Sequence, residues 1–147
     1  MTAGASACAC SVPAIGERVS LAAGDFVDLK VTSRHSEGRF TFFEMVQQPG
    51  HPGVPLHVHE THDELWYILQ GTLRLRIGEE TYRAETGSTY FVPRHIPHAF
   101  RTEGEPCRFL GLFTPGGFEG WFIERTELLR SGAATPQAMM RLPSTTT

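Results

Sequence analysis

The sequence predicts an all-β domain, a barrel or sandwich of short strands closed by one C-terminal helix. Three features carry that expectation: runs rich in β-branched and aromatic residues, turn residues at short regular intervals between them, and no helical periodicity before residue 118. A chain of 147 residues has single-domain length and can bury about two-thirds of its unfolded surface without disulfides. Charged residues at 20% and hydrophobic residues at 40% fit a soluble globular domain rather than a disordered one. A formal charge of -3 without a Lys/Arg cluster argues against nucleic-acid and anionic-membrane partners and leaves a small molecule as the expected one.

Taken in order, residues 1–24 read as a flexible N-terminal segment with no basic region and no apolar run of signal-peptide length. Cys8 and Cys10 lie there among small residues, Cys107 stands far away, and the odd count gives no paired framework, which fits a reducing cytoplasm. No stretch approaches the roughly 18 apolar residues of a membrane span. Residues 25–130 read as the domain, with strands expected over Phe26 to Thr32, Arg39 to Gln47, Val54 to Val58, Glu64 to Leu69, Thr72 to Ile77, Glu80 to Arg83, Thr89 to Val92, His98 to Arg101 and Cys107 to Phe113. Turns fall between them at Glu37-Gly38, Pro49 to Gly53, Gln70-Gly71, Gly78-Glu79, Thr86-Gly87 and Glu103 to Pro106.

Leu73, Leu75 and Ile77 alternate with Thr72, Arg74 and Arg76, the pattern of a strand with one dry and one wet face. The runs Phe40 to Met45 and Leu65 to Leu69 are apolar on both faces, as expected where one face lines a cavity and the other meets a second sheet or a second subunit; a homodimer is the expected assembly. From Phe118 to Arg130 the period changes, and Phe118, Phe122, Ile123, Leu128 and Leu129 are expected to share a helical stripe with Glu119, Glu124, Arg125 and Glu127 mostly outside it. Residues 131–147 read as a polar tail.

Within this frame, His57-Val58-His59-Glu60-Thr61-His62-Asp63-Glu64 concentrates ligand-type side chains, and His98 adds another. Strand side chains alternate, so His57 and His59 share a face, and a strand leaving the following connection brings Glu64 opposite them. Three neutral imidazoles and a carboxylate form a donor set suited to one divalent transition metal, Fe, Mn, Co, Ni, Cu or Zn, and less suited to Ca or Mg. Burying all four without a metal would strand several polar groups. His62 and His95 read as solvated turn residues, and His35 and His51 as loop residues without a functional role. Trp66 and Phe100, each two positions from a proposed ligand, are candidate pocket walls together with Phe40, Phe42, Tyr90 and Phe109.

The same spacing resembles the two motifs of the cupin superfamily. His57-x-His59, four residues, Glu64, six residues, Gly71 follows the first motif from its first His onward, and Gly87, five residues, Pro93, then Pro97-His98 follows the second. His95 stands where Gly is usual, Thr102 where Asn is usual, and the opening Gly of the first motif is displaced, with His51 at its spacing. None of these departures touches a ligand position. Phe91-Val92-Pro93-Arg94, Pro97-His98-Ala99-Phe100 and Phe113-Thr114-Pro115-Gly116-Gly117-Phe118 are similar to the small single-domain quercetin-dioxygenase-like cupins.

That resemblance implies a jelly-roll barrel, also called a double-stranded β-helix, and a metal with one or two open positions. It implies an O2-dependent dioxygenase or other oxidoreductase acting on a phenolic, flavonoid-like or polyketide-like ring, with Glu64 as both ligand and base. A non-redox isomerase, cyclase, lyase or decarboxylase using the same site, and a small-molecule-binding domain without catalysis, are the alternative expectations.

Overall fold

The computed structural model describes residues 17–135 and 137–138. Its strands are β1 (Glu17–Ser20), β2 (Phe26–Val31), β3 (Thr41–Gln47), β4 (Val54–His57), β5 (Asp63–Gln70), β6 (Leu73–Ile77), β7 (Glu80–Ala84), β8 (Thr89–Val92), β9 (His98–Thr102) and β10 (Cys107–Thr114), with helices α1 (Ser33–Ser36) and α2 (Glu119–Ser131). They form a six-stranded sheet in the order β1-β2-β3-β10-β5-β8 and a four-stranded sheet in the order β4-β9-β6-β7. All pairings are antiparallel. Consecutive strands β3, β4 and β5 alternate between the two sheets, so the two walls belong to one all-β jelly roll.

The core lies between the sheets. Val27, Leu29, Phe43, Met45, Trp66, Ile68, Phe109 and Phe113 project from the larger sheet, and Leu73, Leu75 and Phe100 from the smaller. Trp66 of one sheet meets Phe100 of the other at a ring separation of 4.8 Å. As expected, Leu73 and Leu75 are buried while Arg74 and Arg76 are exposed. On β10, Gly111 leaves room for a neighbour across the ladder, since a Cβ there would lie 2.1 Å from the Phe43 ring.

Every strand expected from the sequence is present, with each end within two residues of its expected place. Residues 17–24, expected within the flexible segment, instead supply β1, paired with β2 from Glu17↔Leu29 to Ser20↔Phe26, and a 3-10 turn at Ala22–Gly24. Val19 is the buried residue of that short strand, too brief for its alternation to register in the sequence. Cys8 and Cys10 lie outside the described residues, as does most of the expected polar tail. Cys107 is fully buried, and burial pushes its thiol up to about 11, which makes it an unreactive core residue.

Helix α2 also differs from its expected stripe. Phe122 is buried, but Ile123 is 43% exposed and Arg125, placed outside the stripe by its charge, is 0% exposed. The guanidinium carbon of Arg125 sits 4.1 Å over the Trp121 ring, and its nitrogens donate to the carbonyls of Trp121 and Ala138. Phe118 stacks on Phe113 at 3.8 Å and Phe122 meets Phe43 at 5.2 Å, so the helix closes one mouth of the barrel. No helix among the described residues is long and apolar enough to cross a membrane.

On the outer face of the larger sheet, the ladder lines up Val31, Phe42, Leu112, Leu65 and Phe91 across five strands. Leu65 and Phe91 are 37% and 58% exposed, and Tyr67 beside them is 44% exposed.

Candidate metal centre

Strand β4 ends at His57, which pairs directly with His98 on β9, and Glu64 faces them from β5 of the opposite sheet. His59 lies just beyond the end of β4, not within it, yet its ring stays 4.9 Å from that of His57 and 5.1 Å from that of His98. The four ligand atoms all lie within 4.8 Å of one another. The sequence-predicted donors therefore converge between the two sheets.

Their orientation is fixed by hydrogen bonds on the far side of each ring. His57 Nδ1 faces the Pro55 carbonyl at 2.8 Å and His98 Nδ1 faces the Ile96 carbonyl at 2.9 Å. A proton on each Nδ1 leaves each Nε2 lone pair for the interior of the site. Glu64 Oε2 lies 3.1 Å from His98 Nε2 and 3.3 Å from His59 Nε2. Its other oxygen, Oε1, accepts the Trp66 indole N–H.

Charge in the cluster follows from burial and proximity. Burial, with a smaller contribution from His98, pushes His57 down to about 4, so the ring is neutral at ordinary pH. Burial alone would raise Glu64, but the His59 and His98 contacts outweigh it and hold the carboxyl at about 2. Burial likewise acts to lower His98, and the Glu64 carboxylate overrides it, so His98 is raised. His59 Nε2, despite its closeness to Glu64, is buried and makes no hydrogen bond. A buried ring nitrogen close to a carboxylate yet without a hydrogen bond, facing three other donor atoms, is the fit expected of a metal ligand. The N3O donor set matches a divalent transition metal.

The cluster opens onto a cavity of about 180 Å³ whose wall is mostly apolar. Of the six candidate wall residues, Phe100 and Phe109 line it. The other four expected wall residues do not. Trp66 is 1% exposed and lies behind Glu64, bound to it by its N–H. Phe42 points to the outer face of β3, and the neighbouring Phe43 takes the inner one; with both faces apolar, the sequence leaves the parity of that strand open. Phe40 precedes β3 beside Ser36, and Tyr90 packs on Tyr82 at 5.6 Å.

Sequence reading missed Phe43, Phe113, Phe118, Trp121 and Phe122, which make up much of the wall, together with Asp25, His51 and Arg125. The helical aromatics were visible as an apolar stripe but carried no sign of which end of the barrel they cover. His62, expected in solvent, is 2% exposed and wedged against Phe113 and Phe118 at 6.2 and 5.4 Å. His95 is on the surface as expected, facing Glu60 at 3.1 Å.

Comparison with known proteins agrees with this architecture. The cupin domain family matches residues 43–113. Quercetin 2,3-dioxygenase of Aspergillus japonicus is 33% identical over 75 residues, covering 48% of this chain and 21% of that protein. Quercetin 2,3-dioxygenase of Bacillus subtilis (strain 168) is 27% identical over 110 residues, covering 73% of this chain and 32% of that protein. The chain thus spans between a fifth and a third of the length of these relatives. Among solved structures, an RmlC-like cupin from Shewanella frigidimarina superposes with a TM-score of 0.62 at 15% identity, over 75% of this chain and 93% of that one.

Proposed function

Because the chain belongs to the cupin superfamily, we propose that it is a metal-dependent, O2-using oxidoreductase acting on a small one-ring phenolic or enolic compound. The observation that carries this reading is a buried three-His, one-Glu donor set opening onto an aromatic-walled cavity. A redox-active divalent metal bound there supplies Lewis acidity toward a substrate oxygen and electron exchange with O2. His57, His59, Glu64 and His98 hold it.

The size of the cavity supports one ring rather than the three of a flavonoid: about 180 Å³ is close to the ~150 Å³ of an engineered protein cavity that accepts benzene. Phe100, Phe109, Phe113 and Phe118 flank a flat substrate and exclude water from it. Glu64 is the candidate base. Its Oε1 is taken by the Trp66 N–H on the side away from the cavity, so the oxygen open to a substrate proton is Oε2, which lies among the imidazoles of His59 and His98. Trp66 is accordingly a positioning residue that holds the Glu64 carboxylate in place.

The reading is tested by metal analysis of natively purified protein combined with O2 uptake over a panel of catechols, cyclic enolones and flavonols. Uptake with one-ring compounds and none with flavonols is expected. With metal saturating, Glu64→Gln should lower turnover by about a hundredfold to ten-thousandfold, the usual loss on removing a general base. Turnover of the same compounds without O2 uptake would replace the oxidative reading by a non-redox isomerase or lyase reaction. Absence of metal from active protein would overturn the proposal outright.

The proposal extends to a homodimer, supported by the outer-face row of Val31, Phe42, Leu112, Leu65 and Phe91, which leaves Leu65 and Phe91 more than a third exposed.

A further inference from the structure

The cavity has a second polar wall that the metal cluster does not use. Asp25, at the start of β2, lines it and is 6% exposed. Its Oδ1 accepts the backbone N–H of Gln48 at 2.7 Å and faces His51 Nε2 at 3.1 Å. His51 Nδ1 in turn accepts the N–H of Gly53 at 3.0 Å. Since Nδ1 accepts, the ring proton that faces Asp25 is on Nε2. Burial raises the Asp25 carboxyl and the Gln48 and His51 contacts oppose it, while Oδ2 makes no hydrogen bond among the described residues.

A carboxylate oxygen on a mostly apolar cavity wall is best satisfied by a donor on the molecule that fills the cavity. Leu21, Met45 and Val54 beside it on the cavity wall offer no donor. Arg125 also borders the cavity, but its guanidinium lies on the Trp121 ring and donates to the Trp121 and Ala138 carbonyls. Val54 and His57, at the two ends of β4 and roughly 10 Å apart along a regular strand, both line the cavity, a span comparable to a substituted ring.

We propose that Asp25 Oδ2 receives a hydrogen-bond donor on the far end of the substrate, making Asp25 the specificity-determining residue of the cavity. The substrate class is then a one-ring compound with metal-binding oxygen at one end and an amine or hydroxyl at the other. This rests on His57, His59, Glu64 and His98 being the metal site. Asp25 and His51 enter no bond-making step.

Three probes differing only at the distal end test the inference: 4-ethylcatechol, 4-(2-hydroxyethyl)catechol and 4-(2-aminoethyl)catechol, titrated calorimetrically into zinc-loaded protein without O2. The hydroxyl and amine probes should bind at least about tenfold more tightly than the ethyl one, as a charge-assisted hydrogen bond requires. Asp25→Asn keeps an oxygen for Gln48 and His51 but turns the other position into a donor. It should bring the three affinities to within about twofold of one another while metal content stays unchanged. Equal affinities in the parent protein overturn the inference and leave the metal site standing. So does a preference that survives Asp25→Asn. If unsubstituted catechol and all three probes fail to bind the zinc-loaded protein, the one-ring substrate reading falls and this inference with it. Should Asp25→Asn fail to fold, the comparison in the parent protein decides alone.

Discussion

Trp66 and Glu64 lie two positions apart on β5, so both side chains leave the strand on the same face, and the indole N–H reaches Glu64 Oε1. Sequence spacing gave the shared face but not the depth, which is why Trp66 reads as a cavity wall in the sequence and stands behind a ligand in the structure. Trp66→Phe keeps the ring packing against Phe100 and removes only the donor. Metal affinity should fall by about ten- to a hundredfold, the range for losing a hydrogen bond to a ligand, as measured by competition with a chromogenic chelator. An unchanged affinity and unchanged turnover would show that Oε1 needs no support. The ligands themselves were legible because a His, His, Glu, His set at fixed spacing has few other uses in a core. Asp25 and His51 were not, because only the folded loop brings residue 51 beside residue 25.

Among elements, α2 depends most on a single side chain. Glu119, in its first turn, accepts from the backbone N–H groups of Ser33 and Gly117 and from the hydroxyls of Ser33 and Thr41, joining the helix to α1 and β3. Burial works to raise this carboxyl, and the Ser33 and Thr41 hydrogen bonds outweigh it, leaving it below its ordinary value. A folded value below the ~4.3 of an unfolded Glu means that the stabilisation is complete above about pH 4.3 and disappears as pH falls through the folded value. Glu119→Ala should therefore cost about 1 to 3 kcal/mol in neutral buffer, read by urea unfolding, and less at pH 3. An equal loss at both pH values would mean that packing, not the carboxylate, is what the substitution removes. Little local marks Glu119 for this role, since Thr41 and Ser33 lie 78 and 86 positions away and only Gly117 is near in sequence. The period of α2 was readable; its buried Arg125 was not, because the aromatic face and carbonyls that accommodate it come from tertiary structure.

At the scale of the whole molecule, the sequence disclosed two-sided apolarity in the strands but not which side meets solvent. The exposed row ending at Leu65 and Phe91 runs across the sheet from Val31, and a second copy meeting it about a two-fold axis would cover both. Phe91→Lys puts a charge at the most exposed point of that row. Sedimentation should shift from dimer to monomer with metal content retained; a parent protein already monomeric at tens of micromolar would remove the dimer from the proposal. The chain also contains just two tryptophans, and they occupy different places around the cavity. Trp66 lies 5.9 Å from the His98 ring, whereas Trp121 borders the cavity on the α2 side, stacked on Phe118. The protein thus carries two built-in fluorophores with separate duties. In Trp121→Phe the remaining emission reports metal loading by quenching, and in Trp66→Phe it reports arrival of a ring in the cavity, so the order of metal and substrate binding is open to direct optical measurement without any added label.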